Sequence, residues 1–323
     1  MQAVAQDRYG SAEVLSVRTL PRPSIAGDEL LVRVRAASIN MGDWFIMTGQ
    51  PYVARLAFGL TRPKVTVRGR DVAGEVIAVG ADVTGFQPGD EVYAEISTGS
   101  FAEYAAVPTK VAWHRPTNVT FAQAAAVPVA GVTALQGLRD HGRLRPGQRV
   151  LINGASGGVG TFAVQIAKAL GAAEVTGVCS TRNVELVRSL GADDVIDYTR
   201  EDFTRAGRRW DLLFDLAGRH RLADCRRVLT RHGTLVLSGG AGGRWFGALG
   251  RLAHSTISGP FVSQQVRSFV ASARQQPLRE LAELIEAGKI VPAVERTYPL
   301  ARAADAMAHY ERAHPRAKLV ITM

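Results

Sequence analysis

A glycine-rich turn near the middle of the chain has the residue types and the spacing that bind a phosphate. Residues 150–160 read VLINGASGGVG, so an apolar segment runs into glycines, and the helical pattern TFAVQIAKALGA follows at once. Glycines let the backbone approach a pyrophosphate, and free N–H groups at the start of a helix attract anions. The alternative is a tight strand–helix turn without a ligand. We predict a dinucleotide site formed by Ser156, Gly157, Gly158, Val159 and Gly160, although Ala155 stands at the first glycine position of the usual pattern.

The residues that end the next apolar segment, EVTGVCS, should decide which dinucleotide binds. A site for NAD usually places Asp or Glu there, about twenty residues after the glycines, to hold the ribose hydroxyls. This chain instead has Cys179 followed by Ser180, Thr181 and Arg182. Two hydroxyls and a guanidinium suit a 2′-phosphate, so the sequence favours NADPH over NADH. The alternative is that Ser180 or Thr181 only caps the helix NVELVRSLG, with Arg182 on the surface.

Regular alternation of strands and helices surrounds this turn. The segments VLIN, EVTGVCS, DVID, WDLLFDLAG and GTLVLSGG have the pattern of strands, and helical patterns such as NVELVRSLG and RLADCRRVL separate them. Nearly all-apolar strands that alternate with helices indicate a parallel sheet covered on both faces. We therefore predict an α/β fold with a doubly wound parallel sheet in this part of the chain.

The two ends of the chain have a different pattern. Before residue 120, the segments ELLVRVRAASI, VAGEVIAVG and DEVYAEI alternate like half-buried strands, and after residue 270 the amphipathic helix LRELAELIEAG precedes a final strand, KLVITM. A chain of 323 residues is also longer than one hydrophobic core usually serves. We predict two domains, one formed by residues 1–122 and 271–323 together and the other by residues 123–270 inserted between them.

Composition narrows the class of protein. Hydrophobic residues make up 46% of the chain and charged residues 21%, which is the balance of a soluble globular protein. The N-terminal residues lack the pattern of a secretory signal, and no apolar run reaches the length of a membrane span. The two cysteines, Cys179 and Cys225, are too few for a secreted disulfide scaffold. We expect a cytoplasmic protein without a membrane partner.

A formal net charge of +10 raises the question of nucleic acid. The densest basic cluster is Arg205, Arg208 and Arg209, and no run of five or six like charges occurs. Nor do aromatic residues interleave with the basic ones to form a stacking surface. We expect a solvated basic surface and no nucleic-acid partner, with some other anionic partner as the alternative.

Several motifs resemble the medium-chain dehydrogenase/reductase superfamily in its zinc-free, quinone oxidoreductase branch. Besides NGASGGVGTFAVQIAKALGA, these are RAASINMGDW, GRDVAGEVIAVG, FQPGDEVYA, GSFAEYAAVP, AAAVPVAGVTALQGL, GADDVIDY and KLVITM, so the resemblance covers the whole chain. It implies that a Rossmann dinucleotide-binding domain is inserted in a β-rich, GroES-like catalytic domain.

The resemblance also implies that no metal is bound. Zinc-dependent members of the superfamily have a catalytic cysteine where this chain has Asn40, and Gly-His-Glu where it has Gly69, Arg70 and Asp71. Their proton-relay hydroxyl falls at Gly42, and the four-cysteine lobe that follows their GDEV strand is missing here. Two cysteines can build neither a catalytic nor a structural zinc site of those types.

Further site residues follow from the resemblance alone. It implies that Asn40 lies beside the nicotinamide ribose, that Thr133 touches the nicotinamide-side phosphate or ring, and that Tyr198 lies against the adenosine. Strand ends that face the ligand crevice add Ala217, Gly218, Ser238, Gly239 and Gly240 as cofactor-binding candidates. The resemblance also implies that Phe261 and Val262 meet the nicotinamide through their backbone and that Lys318 lies in the same pocket.

The implied activity is transfer of hydride from NADPH to a quinone or another α,β-unsaturated carbonyl. Such acceptors are already conjugated, so a metal is less necessary, and the protein mainly holds the reactants together. The resulting oxygen takes a proton from water or from a pocket hydroxyl, for which Tyr52 is the candidate. An enoyl-thioester reductase and an RNA-binding relative are the alternatives. The resemblance further implies a homodimer, paired through an edge strand within PFVSQQVRSFVA.

Overall fold

The computed structural model describes residues 1–238, 263–313 and 315–323. The chain divides into two compact units, one formed by Met1–Val132 with Ala273–Met323 and the other by Thr133–Ser272. Each unit has its own sheet and its own buried core. In the described residues, no helix is both long enough and apolar enough to cross a bilayer.

Strands are numbered along the chain. They are β1 (Gln2–Ala5), β2 (Ser16–Thr19), β3 (Glu29–Ser38), β4 (Asp71–Val79), β5 (Glu91–Glu95), β6 (Tyr104–Pro108), β7 (Ala112–His114), β8 (Arg149–Asn153), β9 (Glu174–Cys179), β10 (Asp194–Asp197), β11 (Trp210–Asp215), β12 (Leu229–Leu237), β13 (Gln265–Ser268), β14 (Val294–Pro299) and β15 (Lys318–Thr322).

Helices follow the same order. They are α1 (Met41–Thr48), α2 (Arg55–Phe58), α3 (Phe121–Ala125), α4 (Pro128–Leu135), α5 (Gly158–Ala169), α6 (Val184–Ser189), α7 (Leu222–Arg227), α8 (Gln275–Glu286) and α9 (Ala303–Ala313), and α4 continues as a π-helical turn, Gln136–His141.

The first unit is built on a seven-stranded sheet in the order β14-β15-β3-β4-β5-β7, with β6 paired to β3. All of its ladders are antiparallel except that of β14 with β15. The long strand β3 alternates buried and half-exposed side chains over most of its length, as its ELLVRVRAAS sequence requires for a sheet with one covered face. β15 pairs with β3, so the last residues of the chain lie beside residues 36–38.

The second unit is a six-stranded sheet in the order β10-β9-β8-β11-β12-β13, with every neighbouring pair parallel. The predicted doubly wound fold is confirmed, and the order reverses between β8 and β11. The central strands β8, β9 and β11 are buried on both faces, and the buried indole of Trp210 donates to Thr176 Oγ1 at 3.0 Å. The carboxyl ends of β8 and β11 are adjacent, which is where such sheets bind ligands.

The division between the units differs from the expected domain boundaries. The sequence placed the first boundary after residue 122, whereas the compact unit extends to Val132 because α3 packs on β3 and β4. The second division falls at 272, two residues beyond the expected 270. Pro128 begins α4 rather than merely interrupting a helix, as its fixed φ and missing N–H allow in a first turn. β14 was not predicted, since VERTYP has no apolar alternation.

Candidate functional site

The glycine turn joins β8 to α5 and has the shape of an anion cradle. Gly157 caps the helix in an extended conformation, and a Cβ there would meet only Gly154 O, at the ordinary contact distance of 3.5 Å. A Cβ on Gly160 would lie 2.1 Å from Gly154 O and 2.7 Å from Ala155 C, so this position admits only glycine without a backbone shift. Gly160 therefore serves helix–strand packing, whereas Gly157 leaves the outer face of the turn open.

The backbone amides of the turn separate into two groups. Those of Gly154 and Ala155 donate to Val178 O, which fixes the turn to β9. Those of Gly158, Val159 and Gly160 belong to the first turn of α5, where amides have no acceptor within the helix. The amides of this first turn can therefore donate hydrogen bonds to a pyrophosphate.

A carboxylate at the end of β11 organises the adjacent strand ends. Asp215 is fully buried, and its Oδ1 accepts from Asn153 Nδ2 at 2.8 Å and from the backbone N–H of Gly218 at 2.9 Å. The predicted residues Ala217 and Gly218 thus follow a fixed turn beside the glycine loop. Neither Asn153 nor Asp215 was predicted, although a polar residue closing an apolar strand, as in VLIN and WDLLFD, is a signal that could have found both.

Two predicted hydroxyls are brought together by a residue that the sequence did not single out. Asn183 Nδ2 donates to Ser156 Oγ at 3.0 Å and to Ser180 Oγ at 3.2 Å. A hydroxyl that accepts a hydrogen bond keeps its own O–H for donation. Ser156 and Ser180 are therefore both oriented by Asn183 with a proton left for an anionic ligand.

Thr181 has a different environment from the one expected. Its hydroxyl donates to Asp197 Oδ2 at 2.6 Å, and this hydrogen bond is the main cause that lowers the pKa of Asp197. Asp197 ends β10 and pairs in register with Cys179. A carboxylate is thus present beside this turn after all, but it comes from the neighbouring strand and Thr199 also donates to it. The Thr181 hydroxyl is consequently occupied, and Arg182 in the exposed part of the same short turn is the candidate for a 2′-phosphate.

The other predicted cofactor residues fall at several places. Tyr198 directly follows β10 and is 56% exposed, while Thr133 is buried in α4. Ser238 follows β12, and its N–H donates to Asp215 O at 3.4 Å. Gly239, Gly240, Phe261 and Val262 lie outside the described residues.

The first unit contains a second candidate site, a buried polar cluster around Asn40. The side-chain amide of Asn40 is held at both ends, because Nδ2 donates to Asp71 Oδ2 at 2.9 Å and Oδ1 accepts a short hydrogen bond from Lys318 Nζ. Lys318 also donates to Ile39 O at 3.0 Å and lies 3.4 Å from Asp71 Oδ2. Lys318 is 3% exposed and Asp71 is fully buried.

Further bonds tie this cluster to the end of β3 and to the first turns of α1 and α4. Ser38 Oγ, at the end of β3, donates to Asp71 Oδ2 at 2.6 Å, and the N–H of Val129 donates to Asp71 Oδ1 at 3.0 Å. The backbone N–H of Asn40 donates to Asp43 Oδ2 at 2.8 Å in a capping box that starts α1. Asn40 is therefore fixed through both its side chain and its backbone.

Burial dominates the electrostatics of this cluster. It raises the pKa of Asp43 to about 6 and that of Glu95 to about 7, and it lowers the pKa of Lys318. Glu95 forms a short ion pair with Arg70, whose charge opposes the effect of burial on both acids. The acids and bases are nearly balanced, as buried charges must be.

Tyr52 and Arg70 each contact a charged side chain of the first unit. Tyr52 lies in the short turn Tyr52–Ala54, with the Arg55 guanidinium 4.8 Å from its ring centre. Arg70 pairs with Glu95. Within the described ranges, no group of three His, Cys, Asp or Glu side chains could hold a metal ion.

Comparisons with known proteins agree with this architecture. The family described as "Alcohol dehydrogenase GroES-like domain" matches residues 26–117, and the family described as "Zinc-binding dehydrogenase" matches residues 190–321. A quinone-oxidoreductase, QR1, from Triphysaria versicolor is 33% identical, covering 99% of this chain and 98% of that protein. An NADPH-dependent alkenal/one oxidoreductase from Arabidopsis thaliana is 35% identical over 99% of this chain and 79% of its own length. The structure of Escherichia coli quinone oxidoreductase complexed with NADPH aligns with a TM-score of 0.84 at 26% identity, covering all of both chains.

Proposed function

Because the chain belongs to the medium-chain dehydrogenase/reductases of the quinone oxidoreductase type, we propose that it is an NADPH-dependent reductase of quinones or other α,β-unsaturated carbonyls. The observation that carries the proposal is the glycine turn, whose first-turn amides, open Gly157 face and paired serine hydroxyls suit a dinucleotide. The names of the relatives, which include a quinone reductase and an NADPH-dependent alkenal/one reductase, support the acceptor class.

The residues of the second unit bind and orient the cofactor in this proposal. The amides of Gly158, Val159 and Gly160 hold the pyrophosphate, and Ser156 and Ser180 donate their remaining protons to phosphate oxygens. Arg182 pairs with the 2′-phosphate, which a planar guanidinium can bind through two hydrogen bonds. Tyr198 packs on the adenosine, and Thr133, Ala217, Gly218, Ser238, Gly239, Gly240, Phe261 and Val262 remain proposed contacts.

Asn40 orients the nicotinamide ribose, and Lys318 acts through it. The two N–H groups of Nδ2 donate to Asp71 Oδ2 and to Ser38 O, and one lone pair of Oδ1 is used by Lys318, so Asn40 keeps the second lone pair of Oδ1. It therefore accepts a hydrogen bond from a ribose hydroxyl rather than donating one. The bound cofactor supplies the hydride, and the chain keeps the acceptor next to it and away from bulk water. The proton for the product oxygen comes from Tyr52 or from water.

We also propose that the activity is independent of zinc. Asn40 and Arg70 stand where the zinc-dependent members have ligands, and both are already committed to other partners, Asn40 to Asp71 and Lys318 and Arg70 to Glu95. Activity that survives dialysis against a strong chelator would support this. Loss of activity on chelation, restored by stoichiometric zinc, would contradict it.

The decisive experiment is a screen of NADPH oxidation with quinones, enones and enoyl thioesters. We expect turnover with quinones or enones, and turnover with enoyl thioesters alone would replace the proposal by an enoyl-thioester reductase.

The proposed preference for NADPH is tested by titrating NADPH and NADH into the parent protein and the Arg182→Ala variant. A charge-assisted hydrogen bond contributes about 1.5–3 kcal/mol, so NADPH binding should weaken roughly 10- to 100-fold while NADH binding hardly changes.

A matched control for this titration is Arg205→Ala, which removes an exposed arginine that pairs only loosely with Asp202. This variant should bind both cofactors like the parent. Equal weakening of NADPH and NADH by Arg182→Ala, or a parent that prefers NADH, would refute the assignment of Arg182.

Assembly and location are separate proposals. Among the described strands, β13 lies at the edge of the parallel sheet, and we propose that two copies pair through it into a homodimer. A monomer in light scattering at micromolar concentration would refute that. We also propose a cytoplasmic location, to be checked by cell fractionation, although relatives carry chloroplastic and mitochondrial names.

A further inference from the structure

One loop of the first unit exposes an unusual number of large apolar side chains. It comprises residues 55–65, beginning with α2, and we call it the apolar loop. Leu56 is 71% exposed and Leu60 67%, and Phe58 and Val65 are exposed as well. Isolated apolar side chains on a surface need no explanation, but four within eleven consecutive residues form a feature that does.

The apolar loop is held firmly by the rest of its unit. Tyr9 donates its hydroxyl proton to Gly59 O at 2.6 Å, and the N–H of Lys64 donates to Phe58 O at 2.8 Å, which closes the loop on itself. Arg55 donates to Gly49 O at 2.9 Å and lies over the rings of Tyr9 and Tyr52. The apolar side chains are thus presented outward by an anchored backbone.

The charge around these side chains has one sign. Residues 44–70 contain five basic residues and no carboxylate. Arg62 and Lys64 are exposed beside Leu60. The Asp7 carboxylate accepts hydrogen bonds from both terminal nitrogens of the Arg18 guanidinium. The hydrogen bond from Arg18 is the main cause that lowers the pKa of Asp7, and the charge of Arg62 is a smaller one.

Although the sequence was expected to have no membrane partner, we propose that the apolar loop docks the protein on an anionic lipid surface. Aliphatic and aromatic tips enter the boundary between headgroups and acyl chains, and adjacent Arg or Lys side chains reach the phosphates of anionic lipids. A partner protein would have to present acidic groups around an apolar pocket, whereas a bilayer of anionic lipids offers both layers at once. If the proposed quinone reduction is correct, on which this last step rests, docking selects quinones dissolved in the membrane.

The test is sedimentation of the full chain with phosphatidylcholine vesicles that contain or lack phosphatidylglycerol. Binding should require phosphatidylglycerol and should weaken as salt is added. The Arg62→Ala/Lys64→Ala variant should lose roughly 10- to 30-fold in vesicle affinity, since one basic residue near an anionic surface contributes about fivefold. Leu56→Asp/Leu60→Asp should lose at least tenfold, because it puts charge where the lipid boundary requires apolar groups.

Val291→Asp is the matched control, because it places a carboxylate at another exposed apolar position of the same unit, 56% exposed, outside the loop. It should bind vesicles nearly as the parent does. Failure of the parent to sediment with anionic vesicles would overturn the proposal. So would a parent dimer that becomes monomeric in Leu56→Asp/Leu60→Asp, since a second copy would then cover the loop.

Activity assays separate this proposal from the proposed function. Leu56→Asp/Leu60→Asp should reduce a water-soluble quinone like the parent but a vesicle-embedded quinone at least tenfold more slowly. Equal rates with the embedded quinone would contradict docking while leaving quinone reduction in place. Vesicle binding without reduction of any quinone would leave docking in place and refute the proposed function.

Discussion

The glycine turn of the second unit and the Asn40 cluster of the first unit are built on opposite physical principles. The turn uses backbone: the N–H groups that start α5, a glycine that leaves its outer face open, and hydroxyls oriented by one asparagine. The cluster uses buried polar side chains, of which Asp43, Asp71 and Lys318 are ionisable. A site made of backbone N–H groups depends mainly on the local backbone conformation, whereas a site made of buried charges is stable only if each charge has its partner.

This contrast determines how each site responds to substitution. Removing a side chain near the turn changes what it binds and leaves its amides where they are. Removing a charge from the cluster leaves the opposite charge buried without compensation, which destabilises the whole unit. The variants that follow test the contrast in order of decreasing effect on stability.

The largest effect is expected from Lys318→Met. It leaves the buried Asp71 carboxylate without its cation, and breaking a buried pair in this way costs about 3–5 kcal/mol of unfolding free energy. The Lys318→Met/Asp71→Asn double variant should recover a large part of the loss, since no lone charge then remains. Urea unfolding of the three proteins measures both quantities. If the double variant is no more stable than the single one, the charge of Asp71 is not the cause.

A second, smaller effect should depend on pH through Asp43. Burial raises its pKa from 3.8 to about 6 in the folded chain, so the folded chain holds this proton more tightly than the unfolded chain does. The stability that this contributes is fully present below about pH 4 and is lost as the pH rises through 6. Two pKa units at 1.36 kcal/mol each make the loss about 3 kcal/mol.

Asp43→Asn removes this titration and keeps an oxygen that can accept from the Asn40 N–H. The variant should therefore gain stability relative to the parent as the pH increases from about 4 to 7, in urea unfolding at matched ionic strength. Glu95 titrates in both proteins, and its pKa is raised mainly by burial, with the charge of Asp43 a smaller cause that the variant removes. A stability difference that stays constant over this range would show that Asp43 does not titrate as proposed.

The same contrast explains what the sequence could predict. The turn, its strand and its helix are contiguous, so residues 149–169 contain the pattern that predicts all three, although Val178 O fixes the turn from outside this segment. The predicted parallel sheet was confirmed. The cluster joins Asn40 to Asp71 and Lys318, which are 31 and 278 residues away along the chain. No spacing rule reaches that far, and the pairing of Lys318 with Asn40 depends on β15 lying beside β3. The cofactor contact expected of Lys318 stays a prediction.

The environment of Thr181 differs from the expected one for a related reason. Its hydroxyl was predicted from the residues next to it in sequence, but its partner Asp197 comes from the strand that neighbours β9 in the sheet. Strand order had to be known before that carboxylate could be placed. Arg182 lies in an exposed turn, and its contact with the 2′-phosphate stays a prediction.

The smallest effect on stability is expected at the turn, where two glycines should separate folding from binding. In Gly160→Ala the new methyl meets Gly154 O and Ala155 C, both backbone atoms, so the turn must shift at a cost of about 1–3 kcal/mol.

In Gly157→Ala the methyl makes one ordinary contact at 3.5 Å, and the φ of −78° is allowed for alanine. Its unfolding free energy should stay within about 0.5 kcal/mol of the parent. A pyrophosphate lying against the open face would nevertheless be pushed away, so Gly157→Ala should bind NADPH at least tenfold more weakly in a fluorescence titration. If this variant instead binds like the parent and is equally stable, the open face of Gly157 is not where the cofactor lies.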